Sequence, residues 1–268
     1  RLGFALSGLV LTVLAATGVS AQPLEQLVPD TSLFLFKVRS GSELMRKWRT
    51  TGYYEFWNHR DMRQALGGLA QMVEMQSRSY GAMLGLGDRG IEPLFANQYG
   101  IAVCPPPLGA GTDLEIVALI QAGGLAETAL NGVADVMKAQ SGGANPFEKH
   151  GEVNLLQFST PAFSAGLAAV RGFLVAAVPF PAIKNAVNRI QSPPPEPLAS
   201  GRTFAPMAKR LGDDYDVLLF ADVPALFERL RENPAFAGSG DVMRTLGLDS
   251  VGALAGTLKI GGDGIHME

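Results

Sequence analysis

Val153-Asn154-Leu155-Leu156-Gln157-Phe158, Ala165-Gly166-Leu167-Ala168-Ala169-Val170 and Phe173-Leu174-Val175-Ala176-Ala177-Val178 are three apolar runs separated by short stretches of chain. Each has the length of a strand, and Arg171-Gly172 between the last two reads as a tight turn. Strands joined this directly pair antiparallel, because a parallel pair needs a crossover of a dozen or more residues. Further strands read from Leu33–Val38, Tyr99–Val103, Leu114–Ile120, Asp216–Val223 and Thr257–Ile260. Helical spacing of apolar residues recurs between them. It runs through Met62, Leu66, Leu69, Met72, Val73 and Met75, then Leu130, Val133 and Met137, then Pro179–Ile190, Phe204–Leu211 and Pro224–Arg231. Strand groups joined directly and flanked by helices predict an α+β fold, with mainly antiparallel sheets and helices packed on one face.

The opening unit has an echo late in the chain. Val217–Val223 matches Phe34–Val38 in kind, Leu226-Phe227 matches Leu44 to Trp48, Asn233-Pro234 stands where Asn58 to Asp61 stands, and Leu246-Gly247-Leu248-Asp249 matches Leu84-Gly85-Leu86-Gly87. An internal duplication is the simplest expectation. Gln191-Ser192-Pro193-Pro194-Pro195-Glu196-Pro197 cannot continue a helix or a central strand. The expected organisation is a leader over 1–21, a first α+β unit over 22–191, a proline-rich linker over 192–201 and the start of a second unit over 202–268.

Composition narrows the function. The 268 residues carry a net charge of −3, which excludes a generally basic nucleic-acid binder. A single cysteine, Cys104, excludes an internal disulfide and any cysteine-rich zinc site. Arg1, an uncharged and mainly apolar run to Val19, and Val19-Ser20-Ala21 before Gln22 have the form of a secretory signal with cleavage after Ala21. The expected address is periplasmic or extracellular, with no integral membrane span in the mature chain. A first residue other than Met, and a short return strand after Gly261-Gly262-Asp263-Gly264, predict that the chain continues beyond both ends.

Leu27-Val28-Pro29-Asp30-Thr31, the strand to Val38 and a helix ending at Thr51-Gly52 resemble bacterial exported proteins of the DUF3352 type, with Val217–Leu226 as a second opening of the same kind. The resemblance implies an exported α+β architecture over most of Gln22–Glu268. It implies no activity and assigns no site residue.

Catalytic motifs fail their context tests. Gly85-Leu86-Gly87-Asp88-Arg89-Gly90 fits G-x-G-x-x-G, but it follows a helical pattern where a phosphate loop must follow a strand, so it reads as a helix-to-strand turn. His59, His150 and His266 show no metal-ligand spacing. Asp213, Asp214 and Asp216 lack the spacing of a calcium loop and read as an acidic turn. Gly238-Ser239-Gly240 lacks the outer frame of G-x-S-x-G, and Cys104 reads as a packed thiol at a strand end. No catalytic residue, cofactor or metal ligand is expected.

Trp48, Arg49, Tyr53, Tyr54, Trp57 and Arg60 form the densest basic and aromatic cluster. Such a patch can stack on a glycan or contact an envelope protein, and aromatics at helical spacing also serve as core. The leading expectation is a non-catalytic binding or scaffold protein of the envelope. The alternatives are a ligand or lipid carrier with a pocket between sheet and helices, and an envelope hydrolase with an unrecognised site.

Overall fold

The computed structural model describes residues 22–106, 114–160, 163–232, 251–261 and 264–268. The leader expected over 1–21 lies outside the described residues, as do Asn233-Pro234, Gly238–Gly240 and Leu246–Asp249. Ten strands form one sheet: β1 Phe34–Val38, β2 Tyr99–Cys104, β3 Glu115–Gln121, β4 Phe147–His150, β5 Val153–Ser159, β6 Ser164–Val170, β7 Phe173–Val178, β8 Val217–Ala221, β9 Leu254–Gly261 and β10 Gly264–Met267. Among the described residues the α-helices are α1 Gly41–Trp48, α2 Gly52–Asn58, α3 Arg60–Met83, α4 Leu125–Gln140, α5 Phe180–Gln191, α6 Phe204–Leu211 and α7 Val223–Glu232. None of them is long and apolar enough to cross a membrane.

The strand order is β10-β9-β8-β1-β2-β3-β7-β6-β5-β4, antiparallel throughout. The α+β class with antiparallel pairing is therefore the observed one. β1 pairs with β2 through Phe36↔Ile101 and with β8 through Phe36↔Leu219. Strands from both sides of the proline-rich stretch thus share one sheet.

Helices lie on both faces of this sheet, where one face was expected. The reason is visible in the alternation of β5, β6 and β7. Leu155, Ala168 and Val175 point into a core with α5, and their neighbours Leu156, Ala169 and Leu174 point into a second core with α4. These strands are apolar on successive positions, so a single layer of helix cannot cover them. In α5, Ile183, Ala186, Val187 and Ile190 recur at helical spacing and form its buried stripe. The same face is closed by Leu24, Leu27 and Val28 from the start of the described chain, and by Leu198 and Phe204. The 192–201 stretch is strapped onto this layer. Asp30 N–H donates to Glu196 O at 3.0 Å, Leu198 N–H donates to Val28 O at 2.9 Å, and Leu198 is buried.

Three buried charges lock the layers. Lys37, on β1, reaches both carboxylate oxygens of Glu25 at 2.8 and 2.9 Å and the Tyr215 hydroxyl at 3.3 Å. Glu115, on β3, accepts from Arg189 of α5 at 3.0 Å and from Asn185. Asp216 enters β8. Among the described residues no buried side-chain nitrogen or oxygen lacks a hydrogen-bond partner, as native interiors require.

Removing one partner of such a pair is costly because it strands the other charge. Glu25→Ala leaves the Lys37 ammonium buried with only Tyr215 nearby. The expected loss is about 3 kcal/mol of stability, the low end for a broken buried pair, read as a lower urea midpoint with an unchanged slope.

Candidate functional site

A groove of about 1200 Å³ lies on the α4 face of the sheet, between α1 and the chain that leads into β2. The face assignment follows from register. Tyr99 pairs with Val38 and Ile120, Val38 pairs with Val217, and Ile120 pairs with Leu174 beneath α4.

One wall is α1. Its helix starts at Ser40, whose Oγ accepts from Glu43 N–H at 3.3 Å. The Arg46 guanidinium then binds Glu43 through two nitrogens, at 2.8 and 2.5 Å, and holds that carboxyl below the usual range. At the last turn Lys47 Nζ lies 2.7 Å from Asp216. The other Asp216 oxygen accepts from Ile260 N–H at 2.8 Å. One buried carboxylate therefore ties α1 to β8 and β9 together.

The facing wall is the 3₁₀ turn Glu92–Phe95, anchored by buried Leu94. Its end is tied to the start of α1, because Ala96 O accepts from Ser42 N–H at 2.9 Å. The turn reaches this position through the G-x-G-x-x-G stretch. Gly90 has φ of +69°, and a Cβ there would lie 2.4 Å from Ser77 Oγ. A Cβ on Gly81 would lie 2.5 Å from Gly90 Cα. The glycines let the chain fold back against the last turns of α3, so the motif is a helix-to-strand turn in the structure too.

The floor comes from Tyr99, Val217, Leu258, Ile260 and Ile265, and the walls add Met45, Trp48, Ile91 and Phe95. Phe95 meets Tyr99 edge to face at 5.2 Å, and burial raises the Tyr99 pKa, so the phenol stays neutral. The polar groups stand at the rim: Arg46, Arg49, Arg89 and Glu92. Beyond the groove the apolar sheet face continues through Ile101, Ile116, Leu219 and Leu254, which are 44–54% exposed.

The predicted patch divides here. Trp48 and Arg49 line the groove. Tyr53 stacks on Trp48, with ring centroids 6.3 Å apart and planes 8° from parallel. Tyr54 is half-buried at the start of α2, its N–H held by Thr51 Oγ1 at 3.2 Å. Trp57 and Arg60 are exposed further out, where α2 and α3 form an arm whose one buried residue is Gly81. These aromatics are not core. The floor residues escaped the sequence reading because they lie up to some two hundred positions from Trp48, and no spacing rule connects a helix to strands so distant.

The other candidates disperse. His150 sits on β4 and His266 on β10, the two opposite edges of the sheet, and His59 is on the arm. No group of three potential metal ligands occurs among the described residues. Asp214 pairs with Lys259, which lowers its pKa, and Asp216 is engaged as above. Comparison of the chain with protein-family models, with curated proteins and with solved structures gave no match.

Lys47→Met removes the cation facing buried Asp216 while keeping the length of the side chain. The expected cost is about 2–3 kcal/mol, since the carboxylate keeps its backbone donor. Chemical denaturation measures it, and faster hydrogen exchange in α1 shows that this wall has loosened.

Proposed function

We propose that the protein is a non-catalytic binding protein of the cell envelope, and that the groove between α1 and the 91–96 segment holds an apolar ligand. The observation that carries this reading is the groove itself. At about 1200 Å³ it exceeds the roughly 300–1,000 Å³ that encloses drug-sized ligands. Its walls and floor are almost entirely aliphatic and aromatic, with a few polar groups beside them, the lining that small-molecule pockets share. The export component rests on the N-terminal pattern of a basic start, an apolar run and a small-residue cleavage site. Histidines and carboxylates do not converge in the groove, which weighs against the hydrolase alternative.

The duplication inferred from sequence is supported by the arrangement around β1 and β8. Reading outward from that pair, each side presents a strand followed by a helix, then the next strand in the chain, then its hairpin partner. A smaller pocket of about 290 Å³, lined by Thr31, Leu33, Pro105, Asp222, Ala225, Glu228 and Arg229, flanks α7 as the large groove flanks α1. Its lining mixes polar and apolar groups, so of these two pockets the α1 groove is the more apolar.

The test uses the two tryptophans, Trp48 and Trp57. In a Trp57→Phe background, titration with the neutral apolar dye N-phenyl-1-naphthylamine quenches Trp48 saturably. Met45→Glu, at an exposed position of the wall, lowers dye affinity at least ten-fold without lowering Tm. Dye binding that is absent, or indifferent to this charge, removes the reading.

A further inference from the structure

We infer that the ligand of this groove is a single-chain amphiphile with an anionic head, and that Arg49 and Arg89 receive the head. The inference rests on the groove reading above and goes beyond it by naming the charge and the residues that select it.

Three arginines and one glutamate stand at the rim, in a chain of net charge −3. The groove mouth is thus locally basic on an acidic protein, an arrangement that concentrates anions. The basic residues around it are otherwise satisfied from within. Arg46 is held by Glu43, Lys47 by Asp216 and Lys259 by Asp214, and Arg39 donates to the Asp213 carbonyl oxygen. The guanidiniums of Arg49 and Arg89 have no hydrogen-bond or ion-pair partner among the described residues.

Their placement is also distinct. Arg49 is the C-terminal neighbour of α1, and Arg89 closes the 3₁₀ turn Gly87–Arg89 before the opposite wall. The two arginines therefore stem from opposite sides of the groove, and both line it. A planar guanidinium presents a fork of donors that matches carboxylate, sulfate or phosphate oxygens. Glu92 is the one carboxylate on the rim, and it disfavours a dianionic head more than a singly charged one. An apolar tail on the floor of Leu258, Ile260 and Ile265, with the head between Arg49 and Arg89, satisfies both parts of the site at once. A glycan or a neutral sterol satisfies only one.

The experiment is displacement of N-phenyl-1-naphthylamine by ligands with the same twelve-carbon chain and different heads, at pH 8 and below their micellar concentrations. Laurate is the anion, 1-dodecanol the neutral control and dodecylammonium the cation. Laurate is expected to displace the dye at least ten-fold more effectively than 1-dodecanol, and dodecylammonium less effectively than either. Added salt reduces the laurate advantage, because exposed charges are screened. In the Arg49→Gln/Arg89→Gln variant laurate falls to the level of 1-dodecanol, while 1-dodecanol and the dye bind as before. The substituted side chains hold no partner, so Tm is unchanged. Equal displacement by laurate and 1-dodecanol, or a laurate preference that survives the double substitution, overturns the head-group assignment and leaves the groove reading standing. Failure of the dye and of all three amphiphiles to bind overturns both.

Discussion

Strand β1 must be paired along both edges, and the architecture follows from that constraint. It is five residues long and lies inside a ten-stranded sheet, fourth from one edge, with Leu35, Lys37 and Val38 buried. Unpaired backbone N–H and C=O groups in such a place cost as much as lost hydrogen bonds. β2 satisfies one edge from within the first part of the chain. The other edge is satisfied only by β8, from beyond the proline-rich stretch. The pairing brings β9 and β10 into the sheet behind β8, and those strands supply the groove floor. The site is thus built by the junction between two distant parts of the chain, and neither part alone contains it.

The polar interior serves the same junction. Asp216 receives a lysine from α1 and a backbone N–H from β9, so the helix that follows β1 is fixed on the strands that follow β8. Lys37 and Glu25 bind the opening segment under the centre of the sheet. Buried pairs add little net stability compared with apolar packing of similar shape, but breaking one is expensive. Their effect here is positional. They fix where α1 and the opening segment rest on an apolar surface that would accept other placements.

Much of the fold was legible from local pattern. The strands β5, β6 and β7 and the Arg171-Gly172 turn stand where alternation and turn chemistry put them, and α5 follows Pro179 as expected. β4 was missed because Phe147-Glu148-Lys149-His150 has no apolar alternation. It is an edge strand held by β5 alone, and charged residues on an edge guard against unwanted pairing. The second layer of helix was missed because period-2 reading treats a strand as half-buried, and β5, β6 and β7 are buried on both faces. Of the candidate site, Trp48 and Arg49 could be singled out by composition. Arg89 was read only as part of a glycine turn. Val217, Leu258, Ile260 and Ile265 carried no local signal, because their role depends on which strand pairs with β1.

The one thiol has a consequence of its own. Cys104 closes β2, is fully buried, and exchanges a hydrogen bond with the Ser32 hydroxyl at 3.4 Å. Burial raises its pKa, so the reactive thiolate is scarce. At Cys104 the folded protein therefore offers disulfide exchange no accessible thiolate to engage. With no second cysteine in the 268 residues, Cys104 has no partner among them for a disulfide, in a reducing compartment or in an oxidising one. Packing and one hydrogen bond, and no covalent link at sulfur, hold this end of β2 in place.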